Sequence, residues 1–193
     1  GGLLADANVD GELSAKTSEH ANLMAIGEGL CNPDLAGRIL DALYPGDALV
    51  DGVTRAEPFF TWQVLKALSS SGRFSTALAV LERRWGWMLD RGQTTASEEW
   101  GRHGSWRKGD EYTACARTES HAWSAAPAEF LTKILSGLEI LEPGCARVRL
   151  SPETEGLGDY TLRYPTPLGA IVIEARDGVV DVAHPDDMVV EES

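Results

Sequence analysis

Two neighbouring carboxylates, Glu98 and Glu99, stand directly before an aromatic residue in the stretch Gly92-Gln-Thr-Thr-Ala-Ser-Glu-Glu-Trp100. A second polar-aromatic pair, His121 and Trp123, follows about two dozen residues on. Carboxylates beside aromatic side chains are the materials for chemistry on a sugar. Cleaving a glycosidic bond takes one carboxylic acid to protonate the leaving oxygen and one carboxylate as base or nucleophile. Tryptophan offers a flat apolar face to a pyranose ring, and histidine can donate to a sugar hydroxyl. Each feature also has a plainer explanation. Glu98 and Glu99 could be solvated charges at a helix end, since charged side chains are mostly exposed. Trp123 could be a packed core residue and His121 a cap ahead of the next helix. What favours chemistry is the company they keep: Thr94 and Thr95 before the carboxylates, Trp100 after them, and Trp85 and Trp87 one helix earlier.

Other chemistries have less support. The formal net charge of -13 over 193 residues repels phosphate, so neither nucleic acid nor an anionic membrane is expected as a partner. No apolar run reaches the roughly twenty residues of a membrane helix. The three cysteines, Cys31, Cys115 and Cys145, are far apart and odd in number, which argues against a disulfide framework. No CxxC or CxxH spacing points to zinc. The doublets Asp186-Asp187 and Glu191-Glu192 read as solubilising charges in a terminal segment, and the tail Glu191-Glu192-Ser193 is expected to fray. There is no glycine-rich phosphate loop and no GxSxG elbow, so phosphoryl transfer and serine-hydrolase chemistry have no foothold. Neither metal nor cofactor is expected. The chain opens Gly1-Gly2 without a methionine or a signal peptide, and is expected to be a piece of something longer whose compartment it does not reveal.

Helices must position these residues. Thr17 to Leu30 places Leu23, Ile26, Gly27 and Leu30 on one face. Asn32 reads as an N-cap with Pro33 at the first helical position, and Leu35, Ile39, Ala42 and Leu43 form the stripe of a second helix. Pro58 opens a third, with Phe60, Val64, Ala67 and Leu68 inward. Phe74, Ala77, Leu78, Leu81, Trp85 and Met88 hold one face of a fourth for four turns. Short connections imply stacked helical hairpins. Residues 101–119 form a long polar loop carrying Trp106 and Tyr112, of a length more often functional than idle. Ser124 and Pro127 begin a last helix carrying Phe130, Leu131, Ile134, Leu135 and Leu138. After Gly137 the pattern alternates. Arg147–Leu150, Tyr160–Tyr164, Ala170–Ala175 and Val179–Ala183 read as strands, the last two joined at Asp177-Gly178, a strong hairpin signal. The expected class is α+β, with a helical domain over residues 1–138 and an antiparallel β domain over 139–193.

The motifs resemble a known family. Thr94-Thr-Ala-Ser-Glu98-Glu-Trp100 resembles the Thr-Thr-x-Trp-Glu-x-Trp motif of the bacterial α-L-rhamnosidases, and Ser120-His-Ala-Trp123-Ser-Ala-Ala-Pro127 is similar to their His-Ala-Trp-Ser segment. Gly137-Leu-Glu-Ile-Leu-Glu-Pro143-Gly144 resembles their Gly-Ile…Pro-Gly junction, and Pro165-Thr-Pro-Leu-Gly169 their C-terminal Pro-Thr-Pro-x-Gly turn. Ser18-Glu-His-Ala-Asn22 resembles a segment of a barrel helix. The five occur in the family's order across almost the whole chain.

The resemblance implies an (α/α)6 six-hairpin toroid followed by a β-sandwich, and inverting hydrolysis of terminal α-L-rhamnosides. Glu98 then matches the general base, Glu99 a variable position, His121 a histidine on the sugar and Trp100 the aromatic beside the base. Thr95 and Trp123 complete the candidate substrate-binding set. Ser97 stands where the family has tryptophan. A full toroid has about a dozen helices, and periodicity gives roughly five here. The resemblance therefore implies the C-terminal part of such an enzyme, with the general acid in an N-terminal remainder that is its expected partner. Two other readings remain: a non-catalytic carbohydrate-binding or structural module, and a six-hairpin glycosidase with another sugar specificity.

Overall fold

A computed structural model describes residues 2–100, 118–154 and 156–192. The chain is mixed helix and sheet, in two compact units, Gly1–Pro127 and Ala128–Ser193. Trp106, Tyr112, Cys115 and the side chain of Trp87 lie outside the described residues.

The first unit opens with a two-stranded hairpin, β1 (Asn8–Val9) and β2 (Glu12–Leu13), turning through Asp10 and Gly11 at positive φ. Four helices follow: α1 (Glu19–Gly27), α2 (Pro33–Leu43), α3 (Pro58–Ser70) and α4 (Phe74–Asp90). The start signals of α2 hold, with the Leu35 N–H donating to the Asn32 side chain at 2.9 Å and Pro33 at the first turn. Pro58 opens α3 as expected. The buried side of α1 differs from the expected stripe. It carries Glu19, Asn22 and Leu23, while Leu30 lies beyond the helix and is 78% exposed. Apolar counting passed over Glu19 and Asn22 because it assigns charged and amide groups to water. Here partners satisfy them: Asn22 exchanges hydrogen bonds with the Leu4 backbone at 2.8 and 3.1 Å. Ile39, Leu40, Leu43, Val64, Leu65, Leu68, Ala77 and Val80 are buried among the helices.

The approaches to α1 and α3 run side by side. Ser18 and Thr54 form a parallel bridge, with Glu19 N–H donating to Thr54 O at 3.0 Å and Thr54 N–H to Thr17 O at 2.9 Å. Both helices therefore present their N-terminal ends together. That is where the chain after α4 returns.

The second unit contains α5 (Ala126–Ser136), which extends back across the unit boundary by two residues, and two three-stranded sheets. One is ordered β3 (Glu139–Ile140), β4 (Arg147–Leu150), β8 (Val189–Glu192); the other β5 (Tyr160–Thr166), β6 (Gly169–Arg176), β7 (Val179–Ala183). Arg176 pairs with Val179 across Asp177 and Gly178, both at positive φ, the two-residue turn that the Asp-Gly signal predicts. Cys145, Val148, Leu150, Ile171, Ile173 and Met188 form one apolar core between strands of both sheets. Two expectations are corrected. The β region is not wholly antiparallel, because β8 joins β4 in parallel. The C-terminal segment is not frayed at Glu191, which lies in β8 and bonds Arg147 and Arg149 at 3.3 and 3.1 Å.

Candidate active site

The site is built where the chain leaves α4. Gly92 at φ 69° ends the helix, and Gln93 N–H still donates to Met88 O at 2.9 Å. From Gln93 the chain runs beside residues 118–121. Glu98 N–H donates to Thr118 O at 3.0 Å and His121 N–H to Ala96 O at 2.8 Å. Side chains reinforce the pair. Thr95 Oγ–H and Gln93 Nε2–H both donate to Glu119 O, and Gln93 Nε2–H also reaches Ser97 Oγ at 2.8 Å. The sequence motifs around Glu98 and His121 are thus two arms of one hydrogen-bonded structure.

Glu98 is half-buried. Its Oε2 accepts the Thr118 N–H at 3.3 Å, and Oε1 takes no hydrogen bond from any described residue. Among the described residues one oxygen is oriented and the other is left without a hydrogen-bond partner. That is the state in which a carboxylate can receive a proton from a water or hydroxyl held against it.

The aromatics divide into two groups. Trp100 is 8% exposed, its ring edge-on to Trp85 with centroids 4.7 Å apart. Its indole N–H donates to Ala56 O at 2.6 Å and its backbone N–H to Glu57 Oε2 at 2.9 Å. Trp85 in turn donates to Ser124 O at 2.9 Å. These two rings are enclosed and tie the loop to the turn before α3 and to residues 122–124. Trp123 belongs to the other group. It is 46% exposed, stacks on the His121 ring at 3.9 Å, and meets Phe59 of α3, itself 60% exposed, at 5.1 Å. The open aromatic surface is therefore His121, Trp123 and Phe59. His121 makes no side-chain cap to the turn that follows, and its Nδ1 is buried without a hydrogen-bond partner among the described residues.

Of the residues singled out in the sequence, the structure brings Glu98, Thr95, His121 and Trp123 into one neighbourhood and puts Trp100 beneath it. Thr95 holds the two arms together by donating a hydrogen bond to the Glu119 carbonyl. Sequence reasoning missed Phe59, which precedes the inward face of α3, and Gln93, whose amide joins both arms. It also missed a buried ion pair. Glu19, 0% exposed, accepts from Tyr44 Oη–H, from Arg84 Nη2 at 2.5 Å and from Ala56 N–H at 2.6 Å. Burial, and next the adjacent Glu19 charge, push the Tyr44 hydroxyl far above its ordinary range. The resemblance in Ser18-Glu-His-Ala-Asn22 was the only sequence signal for Glu19. Among the described residues, no three His, Cys, Asp or Glu side chains gather to hold a metal ion.

Solved structures share the fold of most of this chain. Over 95% of its length this chain resembles a GH78 family rhamnosidase of Bacillus sp. GL1, at 24% identity and a TM-score of 0.77. It also resembles the Streptomyces avermitilis α-L-rhamnosidase complexed with L-rhamnose (98% of the chain, 19% identity, TM-score 0.68) and the Aspergillus terreus α-L-rhamnosidase (90%, 19%, 0.69). At these identities the likeness is one of fold. The chain covers 20%, 19% and 21% of those three proteins, about a fifth of each. No protein-family model and no curated protein sequence matches it.

Proposed function

We propose that this chain is the C-terminal part of a glycoside hydrolase of the α-L-rhamnosidase type, and that Glu98 is its general base. Residues 1–138 would then close, with an N-terminal remainder, a six-hairpin (α/α)6 toroid, and residues 139–193 would be its β-sandwich. The observation that carries the reading is the state of Glu98: one oxygen held by Thr118 N–H and the other without a hydrogen-bond partner among the described residues, beside an exposed aromatic surface. The fold likeness to solved rhamnosidases supports it.

In this mechanism a terminal α-L-rhamnoside rests against Trp123, with His121 bonding a ring hydroxyl. Glu98 takes a proton from water as the water oxygen attacks the anomeric carbon. The bond to the leaving oxygen breaks as an acid in the N-terminal remainder protonates it. Attack opposite the leaving group inverts the anomeric centre. Inversion places the two carboxyl groups about 6.5–9.5 Å apart, leaving room for the water. Thr95 serves the site through the backbone it holds, and Trp100 through the loop it anchors.

The test is Glu98→Gln in the full-length protein, assayed on an aryl α-L-rhamnoside. The amide keeps the Thr118 hydrogen bond and cannot take the proton, so kcat should fall about 10²- to 10⁴-fold with KM little changed. Near-normal turnover would remove the assignment. A second reading, a sugar-binding module or a glycosidase of other specificity, draws on Ser97. Its hydroxyl is buried against Gln93 where the resembled motif has tryptophan, which would alter one wall of the proposed sugar site. Rhamnose binding without turnover would favour the module.

A further inference from the structure

The buried Glu19–Arg84 pair invites a question that stability alone does not answer. Replacing a buried ion pair with well-packed apolar residues is often neutral or stabilising, because desolvation offsets the attraction. What an apolar pair cannot supply is direction. Glu19 directs an acceptor at Ala56 N–H (2.6 Å), and Arg84 Nη1 donates to Thr61 Oγ1 at 3.1 Å, whose hydroxyl lies 2.9 Å from Glu57 O and 3.2 Å from Ala56 O. Ala56 and Glu57 are the residues that grip Trp100, through its indole N–H and its backbone N–H. Trp100 also lies edge-on against Trp85, the neighbour of Arg84 on α4. The contacts close a circuit: Glu19 to Arg84, along α4 to Trp85, across to Trp100, back through Ala56 to Glu19. Glu98 lies two residues before Trp100.

We propose that Glu19 is a positioning residue for Glu98, acting through Ala56–Glu57 and Trp100. The proposal rests on the reading of Glu98 as base. Glu19 is fully buried and does not touch substrate. Its charge, held by Arg84, fixes the turn before α3; that turn fixes Trp100, and Trp100 fixes the height of the Glu98 carboxylate against the Thr118 arm. A displacement of about 1 Å at a reacting group is enough to cost roughly a hundredfold in rate.

The experiment uses the full-length enzyme with Glu19→Gln, Glu19→Gln/Arg84→Met and Trp100→Phe. The double variant avoids stranding the Arg84 charge, and the phenylalanine keeps a packed ring while removing the indole donor. Kinetics on an aryl α-L-rhamnoside are paired with amide hydrogen exchange over residues 56–57 and 98–100. Per folded enzyme, both Glu19 variants should lower kcat about 10- to 100-fold with KM within about threefold, and both should speed exchange at 98–100. Trp100→Phe should do the same, and combining it with Glu19→Gln should add little. Asp41→Asn, which breaks the exposed pair with Arg73, should change neither readout. Unchanged kcat per folded enzyme with a lowered melting temperature would make Glu19 merely structural and overturn the proposal. So would fully multiplicative effects of Glu19→Gln and Trp100→Phe. Full activity in Glu98→Gln would overturn the base assignment, and is distinguishable because exchange at 98–100 reports the relay whether or not Glu98 is catalytic.

Discussion

Tyr44 and Glu19 show how a single buried group sets a pH dependence. The Tyr44 hydroxyl donates to Glu19, and burial together with that charge raises its folded-state pKa far above the ordinary 10. In the unfolded chain it titrates near 10. Above that pH the folded state holds one proton more than the unfolded state, so stability falls as pH rises, by about 1.4 kcal/mol per unit from this group. Below pH 10 its contribution is fully present. Tyr44→Phe should therefore flatten the alkaline limb of a urea-unfolding profile taken between pH 9 and 11, at the cost of a lower plateau at neutral pH. At the exposed aromatic surface the expectation is kinetic and rests on the proposed function. Trp123→Ala in the full-length protein should raise KM about 10-fold, a loss of about 1.4 kcal/mol of apolar contact, and leave kcat nearer to wild type. Proportional losses in kcat would remove Trp123 from ground-state binding. The residues of the candidate site were unequally legible. Glu98, His121 and Trp123 stood out because their types and spacing form motifs. Trp100 stood out for the same reason, yet its ring is enclosed, since sequence shows an aromatic and not which face is covered. Phe59 and Glu19 were hidden: one looked like a surplus apolar residue at a helix start, the other like a surface charge.

At the level of elements, the signals that worked are those with local stereochemistry behind them. Asn32-Pro33, Pro58 and Asp177-Gly178 each start or turn the chain where expected. Asp10-Gly11 is the same turn signal and was passed over because its flanking strands are only two residues each. The parallel pairing of β4 with β8 was out of reach, because its partner lies about forty residues away and nothing local encodes it. Gly137 offers a strong test. It ends α5 at φ 56°, and a Cβ there would stand 2.0 Å from the backbone oxygen of Ser151. Backbone cannot retreat as a flexible side chain would, and Ser151 N–H is itself bonded to Ser136 O at 3.3 Å. Gly137→Ala should destabilise the second unit by on the order of 2–3 kcal/mol, read as a lower denaturation midpoint with an unchanged slope. Asn32→Ala, which removes a solvent-exposed cap, should cost about 1 kcal/mol. A smaller loss at Gly137 than at Asn32 would contradict the packing described for the α5–β4 junction.

For the whole chain, two surface properties oppose each other. Thirty acidic residues against seventeen basic ones give a formal charge of -13, which keeps copies apart. Yet Val9, Leu13, Leu30 and Leu89 are each more than half exposed. If these residues meet an N-terminal remainder in the intact protein, the isolated 193 residues expose an apolar surface meant to be covered. Repulsion between the acidic surfaces is screened by salt, its range shrinking from about 30 Å at 0.01 M to about 3 Å at 1 M, whereas apolar attraction is not. The isolated chain should therefore be nearest to monomeric at low ionic strength and associate as salt rises, the reverse of what ion pairs between copies would give. It should also show no measurable hydrolysis of an aryl α-L-rhamnoside at any salt concentration, because Glu98 would have no acid opposite it. Sedimentation velocity and a chromogenic assay on the same samples, from 0.01 to 1 M sodium chloride, test both halves. A monomer with a sharp, cooperative melt across that range would show that the helical unit needs no further covering, and turnover by that monomer would place both carboxyl groups of the reaction within these residues.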